Sequence, residues 1–210
     1  MGRAVSRHKL HAGGPDVSRL VWGAWRSLKA EETDTPSKLA RFIEGCLEIG
    51  ITTFDHADVY GGYRAEAQFG AALREWNGPR ESIQIVTKCG IALVSSERPA
   101  HRVKHYDTSA GHIRASIDRS LGNLRTDVID LLLIHRPDPL MDADDTAGAL
   151  EEAVRSGKVR AVGVSNHAPG QLDLLQSRLS IPLVTNQVEF SVLETGALFD
   201  GTLDQAQRLR

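Results

Sequence analysis

Short runs of apolar, mostly β-branched residues alternate along the chain with stretches of helical periodicity. The apolar runs cover residues 19–22, 51–54, 83–87, 128–134, 159–164 and 183–186. Runs that are apolar at nearly every position are typical of strands buried on both faces. Because a helix-like stretch follows each run, the sequence predicts repeated β/α units and a parallel sheet.

The stretch after the first run shows the helical pattern most clearly. Thr35 is a favourable N-cap, Pro36 suits the first helical position, and Gly50 is the expected C-terminal stop. Apolar residues between them recur three and four positions apart, which places them on one helix face. These residues are Leu39, Phe42, Ile43, Cys46 and Leu47. Further helices are predicted over residues 65–75, 113–124, 145–156 and 169–177, with a sixth starting at 203–209.

Six such units fit either an open doubly wound sheet or an α/β barrel. The first run leads into Gly23-Ala24-Trp25-Arg26, which lacks the GxGxxG spacing of a dinucleotide-binding Rossmann unit. We therefore expect an α/β fold of the (β/α)8 TIM-barrel type, with only about the first six units present. A complete barrel has eight units and typically ~250 residues. We treat residues 1–210 as a single domain that is incomplete at its C-terminus.

Composition narrows the functional classes. The 210 residues are 41% hydrophobic and 25% charged, with a formal net charge of −2, as in an ordinary globular protein. No block of five like charges occurs, so we expect no nucleic-acid or membrane-surface partner. Neither a signal peptide nor a membrane span is expected. Cys46 and Cys89 suggest reduced thiols and a cytoplasmic location. The histidines lack metal-binding spacing such as HExxH, so no metal is expected.

Polar residues directly follow five successive apolar runs. In a barrel, the C-terminal ends of the strands meet at the face that carries the active site. Each residue alone would be explained more simply as an N-cap, a structural ion pair or a turn residue, but five in succession favour a functional site. They are Asp55, Lys88, His135, Ser165 with Asn166, and Gln187, and Tyr60 lies five positions after Asp55.

Five segments also carry a family resemblance. They are DHADVYGGYRAEAQFG at 55–70, TKCGI at 87–91, LLLIHRPDPLMD at 131–142, GKVRAVGVSN at 157–166 and TNQVEFS at 185–191. In this order they resemble the aldo-keto reductase family, and more narrowly a bacterial group of NADP-dependent oxidoreductases. The likeness extends over essentially the whole chain. It implies an enzyme that reduces small-molecule aldehydes or ketones to alcohols by hydride transfer from NADP(H).

The resemblance also implies a role for each of four catalytic residues. Tyr60 would be the general acid that protonates the carbonyl oxygen. Lys88 would lower the pKa of Tyr60 from its ordinary value of ~10, because a nearby cation favours the tyrosinate. Asp55 would be the counter-ion of Lys88, and His135 would hydrogen-bond and orient the substrate oxygen.

Cofactor and substrate contacts follow from the same resemblance. Ser165, Asn166 and Gln187 would hold the nicotinamide carboxamide, because their side chains offer the donors and acceptors that an amide needs. Gly23 would lie beside the nicotinamide, and Trp25 is equally compatible with a substrate contact or a plain apolar wall. We interpret three other residues as non-functional: Cys89 as a buried thiol, and Arg64 with Glu66 as a solvated helix face.

The chain departs from the family pattern in its length. The seventh and eighth units of the family carry an aromatic that stacks on the nicotinamide and a loop that binds the adenosine 2′-phosphate. Open sheet edges favour pairing with another chain, so self-association is expected. Three hypotheses follow: a truncated reductase, a chain completed by association, or a non-catalytic binding or regulatory subunit. The complete catalytic set favours the first over the third.

Overall fold

The computed structural model describes residues 4–209 and contains ten strands and six α-helices within them. The strands are β1 (Arg7–Lys9), β2 (Asp16–Ser18), β3 (Val21–Gly23), β4 (Thr53–Asp55), β5 (Gln84–Cys89), β6 (Ile91–Ala92), β7 (His105–Tyr106), β8 (Leu131–Ile134), β9 (Val162–Ser165) and β10 (Leu183–Gln187). The helices are α1 (Pro36–Glu48), α2 (Ala65–Trp76), α3 (Ala110–Leu124), α4 (Ala143–Arg155), α5 (Pro169–Gln176) and α6 (Thr202–Arg208).

Six strands form one parallel sheet in the order β3-β4-β5-β8-β9-β10. Neighbouring strands of the sheet are joined through α1 to α5, as in repeated β/α units. The sheet is an open half-barrel, which matches part of a (β/α)8 barrel. The predicted fold class is therefore confirmed.

The sheet separates an inner from an outer core. On the inner face, Val86, Leu131, Leu133 and Ala161 are buried in one cluster. Two larger clusters fill the space between the outer face and the helices. This layering explains why the strands are apolar at successive positions, since both faces are covered.

Contacts across the mouth of the sheet show that it is curved. Gln187 at the end of β10 places Nε2 3.3 Å from Oδ1 of Asp55 at the end of β4. Four strand spacings separate these strands along the sheet, which would be ~19 Å if the sheet were flat. The curvature therefore brings the C-terminal ends of all six strands toward one centre.

The strands of the sheet and the helices that connect them begin and end within a few residues of the predicted bounds. Thr35 caps α1 by accepting from Lys38 N, and Gly50 ends the helix region with a φ of 87°. The hairpins β1–β2 and β6–β7 were not predicted. The first of them lies against the start of β4, where Ser18 N donates to Thr53 Oγ1 at 2.9 Å.

The two outer strands of the sheet, β3 and β10, each have a strand neighbour on one side only within residues 4–209. Self-association through these edges stays a prediction. No helix in the described part of the chain is both long and apolar enough to cross a membrane.

A close approach of α2 and α3 makes one helical glycine essential for packing. A Cβ on Gly70 would lie 2.0 Å from Asn123 O, whereas a Cβ on Gly148 in α4 would meet nothing within 4 Å. Alanine is normally favoured over glycine within a helix by about 1 kcal/mol. Clashes in a packed core cost about 1–3 kcal/mol. The same substitution should therefore have opposite effects at these two positions.

We expect Gly70→Ala to lower the free energy of unfolding by about 2 kcal/mol, and Gly148→Ala to raise it by about 0.5–1 kcal/mol. Urea unfolding followed by circular dichroism measures both. An equal response of the two variants would show that α2 and α3 do not approach as described.

Candidate active site

The ends of β4, β5 and β8 bring three candidate catalytic residues to one place. Asp55 is the last residue of β4, Lys88 lies next to the end of β5, and His135 directly follows β8. Backbone hydrogen bonds continue the sheet beyond the strands: His56 N donates to Val86 O at 2.8 Å, and His135 N donates to Cys89 O at 2.9 Å. The positions of these side chains are therefore set by the sheet itself.

Tyr60 comes from the loop that joins β4 to α2. This loop is attached to β5, because Asp58 N donates to Lys88 O at 3.0 Å. It then turns back on itself, with Tyr60 N donating to Ala57 O at 3.0 Å. The turn places the phenol over the end of β5, half-buried, with the ring centroid 5.1 Å from Lys88 Nζ.

The Lys88 ammonium is the centre of the site. Its side chain is 1% exposed, and Nζ donates to Asp55 Oδ2 at 2.6 Å, to His56 O at 2.9 Å and to Tyr60 Oη at 3.3 Å. An ammonium has three N–H donors, so each one has an acceptor. Burial lowers the pKa of Lys88, while the charge and the hydrogen bond of Asp55 oppose that shift.

The pKa of Tyr60 moves opposite to the sequence-based expectation. Burial and the negative charge of Asp55 raise it to about 12, and the Arg136 guanidinium opposes this only in part. The expectation that Lys88 would lower this pKa below its ordinary value is therefore wrong for the free protein. In physical terms, burial disfavours the charged tyrosinate, and the Asp55 carboxylate repels it. Tyr60 keeps its proton throughout the neutral range, which suits a proton donor.

His135 completes the polar group. Its ring meets that of Tyr60 edge-on, with the centroids 5.7 Å apart. Burial lowers the pKa of His135 to about 3, helped by the positive charges of Lys88 and Arg136. The imidazole is therefore neutral at physiological pH and carries one N–H donor and one acceptor nitrogen.

The three predicted carboxamide ligands lie together at the ends of β9 and β10. Ser165 Oγ donates to Gln187 O at 2.9 Å and accepts from Asn166 Nδ2 at 2.8 Å. Asn166 adopts a φ of 57°, a left-handed conformation that is uncommon outside glycine. Within residues 4–209 Gln187 Oε1 accepts no hydrogen bond, so this group retains an acceptor for an amide.

Gly23 and Trp25 lie at the opposite end of the sheet. Gly23 is the last residue of β3 and pairs with Asp55, so it does reach the site rim. Trp25 follows in a short 3-10 helix and is 65% exposed, with the Arg26 guanidinium 5.0 Å from its ring centroid. An exposed indole does not form part of an apolar wall within the described residues.

Two expectations about neighbouring residues have different outcomes. Cys89 is buried and a free thiol, as predicted. The interpretation of Glu66 as part of a solvated helix face is wrong: it is 1% exposed, and Thr87 Oγ1 donates to its Oε1 at 2.6 Å. A hydrogen bond from the outward-facing residue of β5 compensates for this burial. Residues 4–209 contain no group of three or more ligating side chains that could hold a metal ion.

Sequence reasoning missed two contributors. The carbonyl of His56 is an acceptor for Lys88, and a backbone group has no signature in residue types. Arg136 follows His135 and supplies a positive charge that opposes the rise in the pKa of Tyr60 and helps to lower the pKa of His135. Its position after a predicted strand end was the available signal, because such positions meet at the barrel mouth.

Comparison with known proteins identifies relatives of this chain. The sequence profile of the aldo/keto reductase family matches residues 19–205. A 6-dehydroglucose reductase of Agrobacterium fabrum is 52% identical over 196 residues, which are 93% of this chain and 65% of the relative. The oxidoreductase YdhF of Escherichia coli is 51% identical over 206 residues, which are 98% of this chain and 68% of YdhF.

Solved structures give the same relationship. The holo form of an aldo-keto reductase from Bacillus halodurans superposes with a TM-score of 0.79 at 27% identity, covering 96% of this chain and 64% of that one. A glycerol dehydrogenase from Gluconobacter oxydans superposes with a TM-score of 0.78 at 30% identity, and the match covers 92% of this chain and 57% of the dehydrogenase. The chain thus spans about two thirds of the length of the curated relatives it matches. The profile match and the identities to full relatives show that this chain belongs to the aldo/keto reductase family.

Proposed function

We propose that these residues form the catalytic part of an NADPH-dependent reductase that converts an aldehyde or ketone to an alcohol. The family is one of oxidoreductases that typically use NAD(P)H. The observation that carries the proposal is the placement of Lys88 Nζ between Asp55 Oδ2 at 2.6 Å and Tyr60 Oη at 3.3 Å. A protonated phenol beside a buried ammonium is an arrangement that can give up a proton and stabilise the anion left behind.

Tyr60 would donate its proton to the carbonyl oxygen of the substrate. Bound NADPH would supply the hydride for the carbonyl carbon, so that the product is the neutral alcohol. The phenol is a weak acid when its pKa is about 12, and the Lys88 ammonium would stabilise the tyrosinate as it forms. Neutral His135 would donate its N–H to the same carbonyl oxygen and so fix its direction.

Ser165, Asn166 and Gln187 fit the carboxamide end of a nicotinamide. Gln187 is exposed at the mouth of the sheet and retains a free amide oxygen among the described contacts, and Ser165 and Asn166 hold the strand ends beside it. An amide needs both donors and acceptors, which these side chains supply. Gly23 at the end of β3 leaves the opposite rim open, because a Cβ there would meet nothing within 4 Å.

For the substrate class, we propose a carbonyl carried by a sugar-like, polyhydroxylated skeleton. Two relatives, at 52% and 41% identity, are 6-dehydroglucose reductases. The rim of the site carries the polar side chains of Arg136 and Gln187, which are exposed, and of Asn166, which is half-buried, and such groups hydrogen-bond hydroxyls. Because Cys46 and Cys89 are free thiols, we also propose that the protein acts in a reducing compartment, the cytoplasm.

The proposed reaction can be tested on a fusion with the portion of YdhF that the match leaves uncovered. We expect this fusion to consume NADPH when sugar aldehydes are added. The fall in absorbance of the reduced nicotinamide measures the rate. Tyr60→Phe should lower the rate at least ~100-fold, because the proton donor is lost, while NADPH binding is retained.

Tyr106→Phe is the matched control for this experiment. Tyr106 lies in β7, is 38% exposed and is outside the polar site, so the rate should remain unchanged. NADPH binding without turnover across a broad panel of carbonyls would instead favour a non-catalytic binding protein. A near-normal rate in Tyr60→Phe would contradict the role of Tyr60.

The pKa shifts predict an unusual pH profile for reduction. Lys88 titrates below its ordinary value and Tyr60 at about 12, so the ammonium is lost first as the pH rises. We therefore expect the alkaline limb of kcat/KM to follow Lys88 and to lie below the ordinary lysine pKa of ~10.4. Since His135 titrates at about 3, the profile should be flat around the ordinary histidine pKa of ~6.5.

The pH dependence of kcat/KM for the fusion measures both features. The Nζ resonance of Lys88, titrated by NMR, assigns the alkaline limb. A limb with the pKa of an ordinary histidine would show that the electrostatics of the site differ from this description. So would an alkaline limb whose pKa differs from that of Lys88 measured by NMR.

A further inference from the structure

One hydrogen bond joins the cofactor side of the site to its catalytic side. Gln187 Nε2 donates to Asp55 Oδ1 at 3.3 Å. The two residues are 132 positions apart in sequence and belong to strands that are separated by three others in the sheet. No other hydrogen bond between residues 4–209 links the end of β10 directly to Asp55.

The backbone of Gln187 is fixed although β10 is an edge strand. Its carbonyl accepts from Ser165 Oγ at 2.9 Å and from Asn166 N at 2.9 Å. The ladder pairing of Gln187 with Ser165 adds to this restraint. The side chain therefore starts from a defined point, and its amide reaches Asp55 across the mouth of the half-barrel.

The bond restricts how the Asp55 carboxylate can rotate. Oδ2 accepts from Lys88 Nζ at 2.6 Å, and Oδ1 accepts from Gln187 Nε2. With one donor on each oxygen, rotation about the Cβ–Cγ bond breaks at least one hydrogen bond. Lys88 in turn donates to Tyr60 Oη at 3.3 Å, so the orientation of Asp55 affects the proton donor through a single intervening residue.

We propose that Gln187 is a positioning residue for the Asp55–Lys88 pair, holding Oδ1 so that Oδ2 stays on the ammonium. The inference rests on the proposed function and adds a second role to a residue expected only to bind the carboxamide. The two roles are compatible, because Oε1 of Gln187 accepts no hydrogen bond within the described residues and Nε2 has a second N–H.

The direction of the effect follows from what replaces the amide. The Asp55 side chain is 12% exposed, so water can reach Oδ1 when Gln187 is removed. Water supplies a donor but does not fix an orientation. The carboxylate would then spend time rotated away from Lys88, and the ammonium would lose part of the stabilisation that keeps its pKa up.

The test is an NMR titration of Lys88 Nζ in the 210-residue chain itself. The resonance is assigned by its absence in Lys88→Met. Gln187→Met keeps the length of the side chain and removes its donor. We expect the pKa of Lys88 to fall by about half a unit to one unit, which corresponds to the loss of one net hydrogen bond. Gln187→Ala should cause the same fall.

Thr185→Val is the matched control, because Thr185 lies two residues earlier in β10 and its side chain makes no hydrogen bond to Asp55 or Lys88 among the described residues. It should leave the Lys88 titration unchanged. An unchanged or raised pKa of Lys88 in both Gln187 variants, or an equal fall in Thr185→Val, would overturn the proposal. The measurement needs no turnover, so it is distinct from the reduction assay: a fusion without activity would count against the proposed function and leave this titration interpretable.

Discussion

The buried ammonium of Lys88 is the constraint on which the rest of the site depends. A charge that is 1% exposed requires acceptors, and removal of one partner from a buried pair typically costs about 3–5 kcal/mol. Asp55, the carbonyl of His56 and the hydroxyl of Tyr60 are those acceptors. Each comes from β4 or from the loop that follows it, so the charge on β5 fixes the neighbouring strand end and its loop.

Curvature of the sheet lets distant strands serve the same charge. Gly163 in β9 allows the neighbouring strand β10 to approach, because a Cβ at this position would lie 2.7 Å from Thr185 O. With the strand ends converging, Gln187 meets Asp55, and His135 meets Tyr60. The electrostatic outcome is a protonated phenol and a neutral imidazole beside a retained cation. Those are the states that proton donation to a carbonyl oxygen requires.

Much of this arrangement could be predicted from the sequence. Continuous apolar runs ending in Asp55, Lys88 and His135 indicated a parallel sheet with a polar face, because burial on both faces leaves that pattern in the residue types. The family resemblance then supplied roles for the side chains, which remain proposals. The hairpins escaped prediction because strands of two or three residues are too short to show a period.

Other features depend on tertiary contacts that no local pattern records. From its residue type, Glu66 is expected on the surface of α2. In the structure it is buried and accepts a hydrogen bond from Thr87 on the outer face of β5. The carbonyl of His56 and the bond between Gln187 and Asp55 exist only once the sheet is curved. The pKa of Tyr60 likewise depends on burial and the Asp55 charge, which raise it, against the Arg136 charge, which lowers it, and residue types alone do not fix that balance.

A double-mutant cycle on Asp55 and Lys88 tests the central claim most directly, with stability measured by urea unfolding. If the buried ion pair organises the site, Asp55→Asn and Lys88→Met should each lower the free energy of unfolding by about 3 kcal/mol. The double variant should then be less destabilised than the sum of the two, with a coupling energy of about 2 kcal/mol. Strictly additive effects would contradict the account, because they would show that the two side chains do not depend on each other.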